Sequence, residues 1–224
     1  MHLFSDQMLG GLAIVGGHVP IATGAAFTIK YLKEREKVSF CFLGDGAVVQ
    51  GAVHESLNLA SLWNLPCIYV IENNLWGMGT AVSRAVCIQP IAENMAKSYG
   101  IQSYTVDGTN FFDCYALFEE AVALCKTGLP ILIEAVTERF RGHSISDPGL
   151  YRTKEELSRA MEEKDPIVLL KKALIEQGIL TEKAFLELEK EQKEIVMAAM
   201  QFADESPWPD PMTLEQGVFA PEET

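Results

Sequence analysis

Basic residues are in short supply. Lys plus Arg number 18 against 31 Asp plus Glu, a formal charge of −13 with the acidic excess spread over both halves of the chain. That balance argues against a nucleic-acid backbone as the main partner and leaves room only for a small, local anion site. Long apolar runs are missing too. No stretch approaches the roughly 20 residues that span a bilayer, and the first apolar segment is interrupted by Gly10, Gly11, Gly16 and Gly17 with no basic stretch before it, so neither a membrane span nor a secretory signal is expected. Cysteine is sparse and unpaired in pattern: Cys41, Cys67, Cys87, Cys114 and Cys125 include no CxxC, which favours buried thiols in a reducing compartment over a zinc site or a disulfide framework. No internal repeat or low-complexity tract is present. What the chain does have is 224 residues with 48% hydrophobic and 22% charged, enough for a folded domain with a well-formed core.

Hydrophobic patterning predicts an α/β organisation. A helix is expected from about Ile21 to Arg35, with a small-residue face at Gly24, Ala25 and Ala26. The buried strand VSFCFL, 38–43, then runs into Gly44-Asp45-Gly46. A helix after Gln50 to Trp63 and a strand Cys67 to Ile71 complete a unit in which the strands should be parallel with a right-handed crossover. Further helices are expected from Pro90 to Tyr99 and Phe111 to Lys126, with strands at 103–106 and in ILIEAV. Beyond the polar loop TERFRGHSISDPG, the capping-box pair Thr153 and Glu156 and the Asp165-Pro166 entry mark helices near 153–162, 166–177 and 181–203. The proline-bearing tail from Pro207 to Thr224 reads as extended or wrapped over a surface. The division expected is a core over 1–150 with the helices and tail of 151–224 packed on the same domain.

The chemistry concentrates at two strand ends. Asp45 sits between glycines directly after one strand, and Asn73-Asn74 holds the same position one strand–helix–strand unit later. Asp45 and one of the two asparagines offer hard oxygen ligands of the kind Mg2+ takes, and the glycines admit a tight turn or a close phosphate.

At this point a resemblance can be stated. GDGAVVQGAVHESLNLASLWNLPCIYVIENN resembles the thiamine-diphosphate motif. The ordered series IVGGHVPIATG, GDGAVVQG, ENNLWGMGT and RFRGHSISDPG closely resembles the α subunits of 2-oxo-acid dehydrogenase E1 components, most of all those acting on pyruvate, over nearly the whole chain. The resemblance implies a parallel-sheet cofactor-binding fold with a helical C-terminal region. It also implies thiamine diphosphate and Mg2+ as cofactors, with Asp45, Asn74 and the Trp76 carbonyl as metal ligands, although the family usually has tyrosine at position 76. Gly46 and Ala47 would contact phosphate through their backbone. Arg139 and His143 would lie beside the diphosphate, His143 being the catalytic candidate. Ala13, Ile14 and Val15 would face the aminopyrimidine, where the family commonly has glycine at position 13, and Met78 would wedge the cofactor into its bent form. His54 carries no metal-binding spacing and reads as a packing residue; Glu55, Glu72 and His18 receive no assigned role.

The resemblance further implies a β subunit in an α2β2 heterotetramer, a lipoyl domain of the E2 acyltransferase as acceptor and pyruvate as substrate; the lack of a signal or span leads to the expectation of a cytoplasmic location. It implies that an N-terminal segment with further diphosphate contacts precedes MHLF in full-length members, so little activity is expected of this chain alone. Ser144 occupies the place of a regulatory phosphoserine. Acetoin and branched-chain 2-oxo-acid dehydrogenases, and a non-catalytic assembly subunit, are the competing readings.

Overall fold

A computed structural model describes residues 5 and 7–218, which fall into two compact units, the first ending at Lys172 and the second starting at Ala173. In the first unit, helix α1 (His18–Tyr31) leads to strand β1 (Ser39–Gly44), and a 3-10 turn at Asp45–Ala47 hands the chain to α2 (Gly51–Leu62). Next come β2 (Cys67–Asn73), a small hairpin of β3 (Trp76–Gly77) and β4 (Thr80–Ala81), and the single turn α3 (Val82–Ala85). The unit continues with α4 (Ile91–Tyr99), β5 (Gln102–Asp107), α5 (Phe111–Cys125), β6 (Ile131–Val136) and α6 (Lys154–Glu163). Helix α7 (Pro166–Glu176) contains the point at which the units divide.

The four long strands form one sheet in the order β1-β2-β6-β5, every pair parallel. Alternation along the strands sends side chains to two cores, as the pleat requires. Cys41, Leu43, Cys67, Tyr69, Ile71 and Leu132 pack with α1, α2 and α4. Ile68, Val70, Val106, Ile131 and Ile133 pack with α5 on the opposite face. Buried Tyr69 is tied to α1 by a 2.8 Å hydrogen bond between its hydroxyl and that of Thr23. Because the strands run in register, Leu43 beside Ile71 and Asn73 beside Val136, their carboxyl ends finish along one edge, and the loops that follow share that edge.

Several expectations are met closely and a few are corrected. Helix α1 starts at His18 rather than Ile21, since Pro20 sits in a first turn whose N–H groups need no partner, and it stops at Tyr31 ahead of Lys33, which adopts φ 60°. The capping box at Thr153 and Glu156 is present in full. Cys41 and Cys125 are buried and their thiols pushed up to about 12 by desolvation, so they are inert, but Cys87 is exposed and departs from the expectation of burial. In the second unit, α8 (Glu182–Glu205) is started by the Thr181 hydroxyl accepting from the Ala184 N–H. The tail is less extended than expected: Asp210 caps a 3-10 turn at Pro211–Glu215, while 219–224 lie outside the described residues.

Leu57 of α2 is fully buried in the core that carries α1, α2 and α4. Leu57→Ala should lower the unfolding free energy by about 2–5 kcal/mol, read as a lower urea midpoint with an unchanged slope.

Candidate cation and phosphate site

Asp45 follows β1 and is 2% exposed. Its Oδ2 accepts the Asn74 N–H at 3.0 Å, which joins the loop after β1 to the loop after β2. Burial pushes the Asp45 carboxyl up from its ordinary value. The N–H groups of Asn74, Gly46 and Trp76 pull it down, and the Arg139 guanidinium adds a smaller pull in the same direction. A desolvated carboxylate in that balance is favoured by a cation placed against it. Gly46 lies so close to Gly77 that a Cβ on either would stand 3.3 Å from the other's Cα, so the turn after β1 and the β3–β4 hairpin meet backbone to backbone. Ala47 is buried behind them, and the amino end of α2 has no side-chain cap, which leaves its first N–H groups to an anion or to water.

The two asparagines, equivalent by sequence pattern, do different work. Asn73 is buried, with Nδ2 donating to Glu134 at 2.7 Å and Oδ1 accepting the Leu75 N–H at 3.0 Å. Asn74 is only partly buried, and its Oδ1 accepts the Trp76 N–H at 3.1 Å. The asparagine that touches the Asp45 carboxylate is therefore Asn74, the one the motif resemblance selects.

Leu75 and Met78 hold φ 69° and 54°, left-handed conformations that a side-chain-bearing residue adopts only when its surroundings enforce them. Here the enforcement is visible: the asparagine caps hold one side of the hairpin and Arg139 holds the other. Arg139 donates to the carbonyls of Trp76 and Met78, both at 2.8 Å. Its second contacts reach the Tyr151 hydroxyl at 3.3 Å and His143 Nδ1 at 3.4 Å. Arg139 is thus fastened to the hairpin as well as near the expected diphosphate loop. Met78, 64% exposed, projects from the strained position as an apolar side chain without cover.

The sequence reading missed Tyr151. Its ring lies 4.7 Å from that of Trp76, and its hydroxyl donates to Asp147 Oδ2 at 2.8 Å. Asp147 also accepts the His143 and Gly149 N–H groups at 2.7 and 2.9 Å, so the His143 loop closes on one carboxylate. A tyrosine before Arg152 carried no local pattern to mark it; only the fold brings it to Trp76. Arg152 itself bonds Glu138 and the Arg139 carbonyl.

The remaining candidates are nearby or elsewhere. Ala13, Ile14 and Val15 form an exposed turn, closed by the Gly17 N–H to the Ile14 carbonyl. That turn is held against α2 through Gly16, whose φ of 79° and 3.0 Å clearance from Gln50 Cβ leave no room for a side chain. His18 Nε2 donates to the Phe42 carbonyl at 2.7 Å. His54 pairs with the Tyr99 hydroxyl at 2.8 Å where α2 meets α4, in keeping with a packing role. Glu55 and Glu72 are exposed.

The donor set Asp45 carboxylate, Asn74 amide oxygen and Trp76 carbonyl is all oxygen, which suits Mg2+ and not a thiophilic metal. Among the described residues no cluster of His, Cys, Asp and Glu competes for a metal. The Trp76 carbonyl has a second lone pair beyond the one Arg139 uses, so the residues fit the cation they are expected to hold.

An α/β protein with oxygen donors at the carboxyl ends of parallel strands is the class this geometry defines. The model of the dehydrogenase E1 component family matches residues 1–212, and the chain belongs to that family. It is 41% identical over 222 residues to the pyruvate dehydrogenase E1 component subunit alpha of Rickettsia conorii, covering 98% of this chain and 67% of that relative. Against the subunit of the same name from Rhizobium meliloti the identity is 43%, covering 94% and 61%. Against the chloroplastic alpha-3 subunit of Arabidopsis thaliana it is 40%, covering 98% and 53%. The chain therefore spans between about half and two thirds of the length of these relatives.

The hydrogen bonds from His143, Gly149 and Tyr151 hold the Asp147 carboxyl below its ordinary value. A folded-state value below the unfolded one stabilises the loop at every pH above the ordinary carboxylate range, and that contribution disappears as pH falls through the lower folded value. Protection of the His143 amide against hydrogen exchange should persist as pH falls through the ordinary carboxylate range and collapse only below it, whereas Asp147→Asn should show lowered protection already at neutral pH.

Proposed function

We propose that this chain is the α-subunit portion of a pyruvate dehydrogenase E1 component, working in a cytoplasmic α2β2 heterotetramer. In this reading it supports the thiamine-diphosphate-dependent decarboxylation of pyruvate and the reductive acetylation of a lipoyl group on the E2 acyltransferase. On the same reading the cofactor-binding core lies within the first compact unit. The observation that carries the reading is the contact between the Asp45 carboxylate and the Asn74 turn at adjacent strand ends. The named relatives support the substrate.

Thiamine diphosphate, when bound, supplies the electron sink that lets a 2-oxo acid lose carbon dioxide. The chain's own residues do the holding and orienting. Asp45, Asn74 and the Trp76 carbonyl would hold Mg2+, and the Gly46 and Ala47 backbone would face the diphosphate. Arg139 keeps the hairpin carbonyls aligned and places positive charge beside the Asp45 carboxylate. Met78 offers its apolar side chain as the wedge against the cofactor rings, and Ala13, Ile14 and Val15 offer an apolar wall. His143, with Nδ1 turned to Arg139, has Nε2 available to donate to a reacting oxygen or to phosphate. No described helix is long and apolar enough to cross a membrane.

Calorimetry of Mg2+ with thiamine diphosphate, on the chain co-produced with its β subunit, should give saturable binding. Asp45→Ala and Asn74→Ala should each weaken it by more than about a hundredfold, beyond the loss typical of partners that act indirectly on a metal. Lipoyl acylation should prefer pyruvate over acetoin and branched-chain 2-oxo acids. Unchanged binding in both variants would overturn the site, and preference for another substrate would overturn the assignment to pyruvate.

A further inference from the structure

Strand β6 carries a carboxylate in the middle of an apolar run. Glu134 is 3% exposed, flanked by Ile133 and Ala135 in ILIEAV, and a buried carboxylate persists only where its oxygens are fully hydrogen-bonded. Both are. Oε2 accepts the Ala92 N–H at 2.9 Å in the first turn of α4, where the helix presents partial positive charge. Oε1 accepts from Asn73 Nδ2 at 2.7 Å.

That second bond has a direction. The side-chain oxygens of Glu134 act as acceptors, so the Asn73 amide must turn its nitrogen towards Glu134 and its oxygen the other way, where it accepts the Leu75 N–H at 3.0 Å. Leu75 is one of the two hairpin residues at positive φ, and its carbonyl receives the Val82 N–H at 3.0 Å. The next residues along are Asn74, bound to Asp45, and Trp76, whose carbonyl belongs to the oxygen set. A chain of donors and acceptors thus runs from the amino end of α4 through Glu134 and Asn73 into the turn that presents the candidate metal ligands.

We propose that Glu134 is a positioning residue: acting through Asn73, its carboxylate fixes the polarity of the Asn73–Trp76 turn and with it the placement of Asn74 and the Trp76 carbonyl for Mg2+. The inference rests on the metal reading given above. Glu134→Gln keeps the shape but not the polarity. Its amide can satisfy only one of the two donors facing it, and if Asn73 flips to compensate, its Nδ2 opposes the Leu75 N–H. The double variant Glu134→Gln with Asn73→Asp restores a consistent order, with Gln accepting from Ala92 and donating to Asp, and Asp accepting from Leu75.

Two measurements test this. Hydrogen exchange on the full chain without cofactor should show faster exchange at the Leu75 and Trp76 amides in Glu134→Gln and recovery in the double variant, while the Ile68 and Val70 amides of β2 stay protected in both. Calorimetry with Mg2+ and thiamine diphosphate in the presence of the β subunit should show Glu134→Gln weakening Mg2+ affinity by about tenfold to a hundredfold, with the double variant regaining most of the loss. If the wild type binds but Glu134→Gln matches it in exchange and in affinity, or the double variant is no better than the single, the inference is overturned and the site reading stands. If the wild type fails to bind Mg2+ and thiamine diphosphate, the site reading is overturned and the inference with it.

Discussion

The hydrogen bond from the Asn74 N–H to the buried Asp45 carboxylate ties together the loops that follow β1 and β2, and much else is arranged around keeping it in place. Parallel pairing in register brings the two strand ends level. The close approach of Gly46 to Gly77 lets the hairpin lie directly on the turn that holds Asp45. Asn73, Asn74 and Arg139 then bind four backbone groups of the hairpin, two N–H and two carbonyl, and keep Leu75 and Met78 in conformations they would otherwise leave. The strain is local; the asparagines restrain it from two residues away and Arg139 from a distant part of the chain, an arrangement expected where a site must be formed before its ligand arrives.

How much of this the residues announce depends on whether the signal is local. The strands around Asp45 and Asn74 are short apolar runs ending in turn residues, and the helices carry their own punctuation, such as the Thr153 capping box and the Asn110 cap on α5. Those features are set by chain stereochemistry within a few residues, so the sequence displays them. The β3–β4 hairpin is another matter. Nothing in Leu75 or Met78 themselves favours positive φ; Asn73 holds the Leu75 N–H from two residues away, and Arg139 holds the Met78 carbonyl from far along the chain. For the same reason the motif indicated Arg139 but not its attachment to the Trp76 and Met78 carbonyls. Tyr151 looked like an ordinary loop tyrosine until the fold set it on Trp76. Glu134 was hidden differently, as one polar letter in a run whose period says only buried strand.

The pattern also explains why two adjacent asparagines could not be told apart by reading alone. Along β2 and into the loop, successive side chains point to opposite sides. Asn73 turns inward to Glu134, where both ends of its amide are engaged, and Asn74 stays at the rim beside Asp45. Sequence position separates them by one residue; the sheet turns one inward to Glu134 and leaves the other beside Asp45.

Charge completes the argument for a cation. The chain carries a formal −13, and the buried group at the head of the site is itself acidic, so a diphosphate approaching the carboxyl edge meets an unfavourable field. Two arginines of this region already have partners. Arg139 directs its guanidinium to two hairpin carbonyls, and Arg152 is turned to Glu138 and to the Arg139 carbonyl. Uncapped N–H groups at the start of α2 contribute only partial charge. A divalent cation held by Asp45, Asn74 and the Trp76 carbonyl would meet both needs at once, supplying the charge that the desolvated Asp45 favours and the counter-charge the diphosphate requires. On that reading the oxygen-only donor set and the scarcity of basic residues would be two consequences of one design, in which a metal would supply most of the positive charge.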